Sequence, residues 1–322
     1  MSEIPNITVL DGHTLNPGDL NWDAMRETGQ LTIHERTAPN LVIERAKDAE
    51  VLFTNKALLP GDVIRALPKL KYIGVLATGF NVVDVAAADE CGVTVTNIPD
   101  YGSLSVAQHT WAMILELTNR VGSHDQAVKE GQWANCPDFC FWNAPLTELV
   151  GLKLGIIGFG RIGKAVAKLG SAFGMDILVH SRTKPNTLPD GFHWCSMDDL
   201  FAQSDIVSLH CPQTLENTGF INTVRLSQMK STALLINTGR GPLINEPALA
   251  EALLKEQIAG AAVDVLSEEP PSKDNPLLNA KNILITPHIA WGTRAARQRL
   301  MEIAIKNLKQ FLRGQPINVV HI

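Results

Sequence analysis

Residues 153–174 read "KLGIIGFGRIGKAVAKLGSAFG". A mostly apolar run (153–157) breaks at Gly158, and helix-forming residues follow. Gly158, Gly160 and Gly163 then stand at the spacing by which a strand–turn–helix unit cradles a pyrophosphate. Gly158 allows the tight turn. Gly160 lets the backbone approach the phosphates, and Gly163 lets the helix pack close to its strand. Arg161 and Ile162 lie in the same loop. The helix start presents free N–H groups and a partial positive charge to an anion. Three spaced glycines alone are a weak signal, and a purely structural turn is the alternative. The strand before them and the helix after them make the dinucleotide reading the stronger one.

Outward from this loop, the chain keeps a strand-then-helix rhythm. "DILVHS" (176–181), "DIVSLHC" (205–211), "ALLINTG" (233–239), "AAVDVL" (261–266) and "NILITPH" (282–288) follow it. These runs are apolar on both alternations, as parallel strands covered by helices on both faces should be. Ahead of it lie "ITVLDG" (7–12), "LTIHER" (31–36), "VLFTNK" (51–56), "YIGVLAT" (72–78) and "VTVTNI" (93–98). Helical pieces separate them, such as "AAADECG" (86–92) with Gly92 as its stop. The predicted fold class is therefore α/β, with two doubly wound parallel sheets. Between the two groups, "SLSVAQHTWAMILELTNRV" (103–121) carries Ala107, Trp111, Ile114, Leu115 and Thr118 at helical spacing. Ser103 or Ser105 is expected to cap that helix. A second long helix is expected over 293–314, stopped by Gly314 with Pro316 beyond.

Composition narrows the functional class. The 322 residues are 45% hydrophobic, ample for two packed cores. Net charge is −5 with no basic block, so nucleic acid is not an expected partner. The start, "MSEIPNITVLDG", has no signal-peptide character, and no stretch approaches the ~18 apolar residues of a membrane span. Cys91, Cys136, Cys140, Cys195 and Cys211 form no CxxC pair and read as free thiols of a cytoplasmic protein. No metal site is expected, because no further Cys or His pair has ligand spacing. Cys211 stands at a strand end where a nucleophile can sit, but buried packing is the simpler reading.

The second strand of a dinucleotide unit normally ends in Asp or Glu, which holds the ribose hydroxyls of NAD. Here Ser181 occupies that place, 18 residues after Gly163, followed by Arg182 and Lys184. A carboxylate there would repel a 2′-phosphate, whereas a hydroxyl and cations attract it. The expected cofactor is NADP(H), with NAD(H) as the alternative. Cations on a solvated loop are the plain reading.

Three later stretches each end a strand with a polar residue. "LLINTGRGPLIN" sets Arg240 between Gly239 and Gly241, "AAVDVLSEEPP" carries Glu268 and Glu269, and "ILITPHIAWGT" carries His288. Ligands of open α/β sheets bind at the carboxyl ends of strands. A cation there holds a carboxylate and polarises a ketone, an imidazole gives a proton to the developing alkoxide, and an acid orients the imidazole. That set suits reduction of a 2-keto acid.

Through "GIIGFGRIG", "INTGRGPLIN", "AAVDVLSEEPP" and "TPHIAWGT", in order and spacing, the whole chain resembles the D-isomer-specific 2-hydroxyacid dehydrogenases. The resemblance implies a Rossmann nucleotide domain (103–291) inserted in a flavodoxin-like catalytic domain (1–102 with 292–322). It implies Arg240, Glu269 and His288 as catalytic residues, Glu269 being preferred over Glu268 because Pro270 follows it. "ATGFNVVD" resembles the family loop that holds the substrate carboxylate, here Thr78 and Gly79. Thr238, Gly239, Asp264 and His288 look like the nicotinamide side, and "CPQTLENTGFIN" like the adenosine side, with Pro212 and Thr218. The aromatic loop "CPDFCFWNAPLTELVG" (136–151), together with Trp291, looks like the glycerate dehydrogenase or hydroxypyruvate reductase branch. There Trp142 is expected to reach the site of a partner subunit, which implies a homodimer. The implied reaction is hydride transfer between NAD(P)H and hydroxypyruvate or glyoxylate. A phosphoglycerate dehydrogenase-like enzyme and a nucleotide-sensing corepressor are the competing readings.

Overall fold

Each of the eleven apolar runs overlaps a strand, and the strands so formed pair with one another in parallel. The computed structural model describes residues 4–321. In chain order the first elements are β1 (Asn6–Val9), α1 (Asp23–Arg26), β2 (Gln30–Ile33), α2 (Val42–Ala46), β3 (Val51–Thr54), α3 (Gly61–Arg65), β4 (Tyr72–Val75), α4 (Val85–Glu90) and β5 (Thr94–Thr96). Next come α5 (Ser103–Asn119), α6 (Val121–Lys129), β6 (Lys153–Ile157), α7 (Arg161–Ala172), β7 (Asp176–His180), β8 (Phe192–Trp194), α8 (Met197–Gln203), β9 (Ile206–Leu209) and α9 (Thr223–Gln228). The last are β10 (Leu234–Asn237), α10 (Glu246–Leu254), β11 (Gly260–Val263), β12 (Ile283–Ile285) and α11 (Arg294–Leu312).

The chain divides into two units. One takes in the stretch up to Gly102 together with the stretch from Trp291, and the other is Ser103–Ala290. The first holds a five-stranded sheet in the order β2-β1-β3-β4-β5, the flavodoxin-like arrangement. Alternate residues serve its two faces. Leu52, Ile73 and Val95 pack toward α2, α3 and α4, while Val51, Phe53 and Tyr72 pack toward Leu300, Ala304 and Leu308 of α11. Gly74 is small by necessity, since a Cβ there would sit 2.3 Å from the Phe53 ring. Thr293 caps α11 by accepting from the Ala296 N–H.

The second unit holds a seven-stranded sheet in the order β12-β11-β10-β9-β6-β7-β8. This is the Rossmann order, with the chain reversing direction across the sheet between β6 and β9. Leu154, Ile156, Ile177 and Val179 face α5 and α7, where Trp111, Ile114 and Val166 are buried. Val207, Leu209, Leu235 and Val263 face α8, α9 and α10. Each such side chain contributes ~1.5–3 kcal/mol by leaving water.

Two local expectations change. The strand β8 lies outside the predicted runs. Ser105 is no cap: it lies inside α5, and its hydroxyl donates to the Ala290 carbonyl at 2.7 Å.

Candidate active site

The glycine loop has the shape its spacing demands. Gly158 adopts φ +95°, and a Cβ there would lie 2.5 Å from the Cys211 nitrogen. At Gly163 a Cβ would lie 2.0 Å from the Gly158 carbonyl oxygen, so only glycine lets α7 start this close. Gly160 differs: nothing lies within 4 Å of its Cβ position. That open side, at the N-terminus of α7, leaves room for a phosphate against bare backbone.

A pocket of about 1190 Å³ opens beside this loop, walled by Gly158, Gly160, Ser181, Arg182, His210 and Pro212 among others. Its size and its glycine-bare wall fit a dinucleotide. Burial pushes the His210 imidazole down to about 3, so the ring is neutral, and Ser208 hydrogen-bonds its Nε2 at 2.8 Å. The Ser181 hydroxyl donates to the Thr183 carbonyl at 2.7 Å, and Arg182 is exposed on the wall. The Lys184 ammonium lies over the Trp194 ring, 5.2 Å from its centroid.

Four expected cofactor residues point their side chains elsewhere. Thr218 is occupied within its loop, accepting from Gln213 and donating to the Thr214 carbonyl, and the wall there is formed by Thr214, Glu216 and Asn217. The Ile162 side chain packs into the core, so only its backbone is available to phosphate. Thr238 is 7% exposed, with its hydroxyl 2.9 Å from that of Thr110 on α5. Asp264 is 1% exposed, and its carboxylate accepts from the Thr286 hydroxyl and from the Ile289 and Ala290 N–H groups. Burial raises the Asp264 carboxyl, but hydrogen bonds from His109, Thr286, Ala290 and Ile289 outweigh it and hold it below the ordinary value. Arg161 is the first residue of α7. Cys211 packs against the core, and burial pushes its thiol up, so it is no activated nucleophile.

The strand ends of the same unit bring two of the three expected catalytic residues together. His288 Nδ1 donates to Glu269 Oε2 at 2.6 Å, while Glu269 Oε1 accepts from the Leu266 N–H. Nδ1 is thereby committed, which leaves Nε2 as the ring atom able to hand on a proton. Both side chains remain partly open to solvent. Arg240 is exposed after β10, its Nη1 donating to the Gly239 carbonyl at 2.8 Å and its own carbonyl accepting from Asn237. Gly241 presses on the loop that carries Glu269, since a Cβ there would lie 1.9 Å from the Leu266 carbonyl carbon. The Arg240 turn and the Glu269 loop are therefore packed together.

Glu246 supports this corner and had no sequence signal beyond its place in the first turn of α10. It is 9% exposed and accepts from the Ser267 N–H and from Asn275. In the other unit, Thr78 and Gly79 follow β4, and the Thr78 hydroxyl donates to the Ile98 carbonyl. Trp291 packs edge-on against Tyr101, with ring centroids 6.2 Å apart. Trp142 is 66% exposed, on a segment closed by reciprocal amide bonds between Gln132 and Asn143. All five cysteines are free, and among the described residues no cluster of His, Cys, Asp or Glu has the makings of a metal site. No described helix is long and apolar enough to cross a membrane.

Comparison with known proteins gives these features a context. Residues 111–290 match the family described as "D-isomer specific 2-hydroxyacid dehydrogenase, NAD binding domain". A hydroxypyruvate reductase of Blautia hydrogenotrophica is 46% identical over 319 residues, spanning 98% of this chain and 99% of that one. The structure of an NADPH-dependent glyoxylate/hydroxypyruvate reductase of Sinorhizobium meliloti, with NADP and malonate, superposes with a TM-score of 0.84 at 28% identity, covering 99% of this chain and 97% of that one. A D-lactate dehydrogenase of Aquifex aeolicus, with NAD and lactic acid, gives 0.82 at 31% identity over 96% of each chain. A likeness that runs the length of the chain, through both sheets and the glycine loop after β6, is one of descent: the chain belongs to the D-isomer-specific 2-hydroxyacid dehydrogenase family.

Proposed function

We propose that the protein reduces a small 2-keto acid, hydroxypyruvate or glyoxylate, to the corresponding 2-hydroxy acid with a nicotinamide cofactor. The observation that carries this reading is the 2.6 Å His288–Glu269 pair, set at strand ends of the unit that holds the glycine loop. The cofactor supplies a hydride to the keto carbon when bound. The chain's own residues do the rest. Arg240 holds the substrate carboxylate and polarises the ketone, as a bidentate cation does well. Thr78 and Gly79, after β4, are assigned to substrate binding through their backbone N–H groups on the resemblance of their loop. His288 delivers the proton of Nε2 to the forming alkoxide, and Glu269 fixes the ring and balances its charge. The unit with Thr78 serves as the substrate domain and the unit with Gly158 as the dinucleotide domain.

For the cofactor, Gly158, Gly160 and Gly163 with the backbone of Arg161 and Ile162 take the pyrophosphate. Ser181 and Arg182 take a 2′-phosphate, which makes NADP(H) the preferred form over NAD(H). Pro212 lines the adenosine side, and Thr238, Gly239 and Asp264 shape the nicotinamide side from beneath. The enzyme is a cytoplasmic homodimer in this reading, with Trp142 of one subunit completing the site of the other. The 46% identical hydroxypyruvate reductase supports the substrate reading, and the absence of an acid directly after β7 supports the preference for NADP(H).

A steady-state assay with hydroxypyruvate and with glyoxylate, each run with NADH and NADPH, tests substrate and cofactor together. Turnover of hydroxypyruvate with the higher kcat/KM for NADPH is expected. Tight dinucleotide binding without turnover of any 2-keto acid would point instead to a nucleotide-sensing binding protein.

A further inference from the structure

The loop from Thr286 to Ala290, which carries His288, is held from beneath by Asp264 and by three residues with no place in the chemistry above, Thr286, His109 and Ser105. His288 sits at φ +54°, in the left-handed region that a side chain disfavours. Asp264 holds it there. The Asp264 carbonyl accepts the His288 N–H at 2.8 Å, and its carboxylate accepts the next two N–H groups, of Ile289 and Ala290, at 2.9 Å each. Three consecutive peptide groups are thus fixed by one residue.

Asp264 is itself set by a short relay. The Thr286 hydroxyl donates to Asp264 Oδ1 at 2.5 Å. A hydroxyl has one proton to give, so toward His109, whose Nε2 lies 3.0 Å away, Thr286 is the acceptor. His109 therefore carries its proton on Nε2, and that nitrogen also lies 3.5 Å from Asp264 Oδ1. His109 is on α5, four residues after Ser105, whose hydroxyl donates to the carbonyl of Ala290. Residues four apart share one helix face, so one face of α5 grips both ends of the His288 loop.

We propose that His109 is a positioning residue for His288, acting through Thr286 and Asp264. Its Nε2–H orients the Thr286 hydroxyl onto Asp264, which then holds the three peptide N–H groups that aim His288 at Glu269. The inference rests on the proton-donor role proposed for His288.

The test is steady-state reduction of hydroxypyruvate by H109L, H109Q and T286V, with hydrogen exchange of the 286–290 peptide followed in parallel. H109L and T286V lower kcat about tenfold, the loss of one hydrogen bond expressed in the barrier, and leave KM within about twofold. H109Q retains kcat within about threefold, because its amide again donates to Thr286. Exchange at 286–290 quickens in H109L and T286V and not in H109Q. Wild-type kcat and exchange in H109L overturn the proposal, as does a loss in H109L that H109Q fails to restore. If the wild-type protein reduces no 2-keto acid, the proposed reaction falls, and the exchange rates alone decide whether His109 holds the loop.

Discussion

His288 shows how a single side chain is prepared for its task. Its left-handed backbone costs about 1–2 kcal/mol, which the three N–H bonds to Asp264 offset. His288→Ala is expected to lower kcat about 10²–10⁴-fold with little change in KM, the mark of a group that acts in the transition state. Wild-type turnover in that variant would remove His288 from the proton-donor role. Arg240→Ala is expected to raise KM and lower kcat together, because the guanidinium serves both binding and polarisation. Ser181→Asp should shift the kcat/KM ratio toward NADH, since a carboxylate repels a 2′-phosphate and accepts ribose hydroxyls. An unchanged ratio would return Arg182 and Lys184 to the solvated surface. The residue types of this site were legible from strand ends and adjacent glycines. Which of two neighbouring acids meets the imidazole was read only through the family resemblance, from Pro270 after Glu269, because the loop has no regular period of its own; in the structure Glu269 reaches Nδ1.

At the scale of elements, the turn from β6 into α7 is fixed by sterics. Gly158→Ala would place a methyl 2.5 Å from the Cys211 nitrogen at a φ of +95°. A drop of at least ~1–2 kcal/mol in stability is expected, together with weaker dinucleotide binding, read by thermal melting and by titration of NADPH fluorescence. The end of β9 carries a titration. His210 has an ordinary value of 6.5 that burial lowers to about 3. The unfolded chain therefore binds the proton first, so this contribution is fully present above pH 6.5 and is lost progressively toward pH 3. Melting temperature should fall over that window, and His210→Gln should flatten the fall. Long elements were the readable ones, because α5 and α11 repeat their apolar face over several turns. The strand β8 has only three residues, Phe192–Trp194, at a sheet edge. Too few alternations exist there to show a period, and pairing with β7 alone defines it.

At the scale of the molecule, the segment after α6 exposes Trp133 (51%), Phe139 (88%) and Trp142 (66%). Aromatics so exposed suit an interface between subunits. Sedimentation at micromolar concentration should give a dimer, and a monomer at the concentrations used for assay would contradict the shared site proposed for Trp142. The sequence by itself determined the two parallel sheets and the glycine turn, because alternation and glycine spacing are local rules that each stretch obeys alone. Only the tertiary structure decided that Asp264 faces inward, that Thr218 turns away from the pocket, and that His109 stands under the His288 loop. Those outcomes join residues far apart in the chain, as His109 and Thr286 are, across gaps near 3 Å. No period encodes such a distance. It follows from how strand ends and a helix face pack once the core has closed.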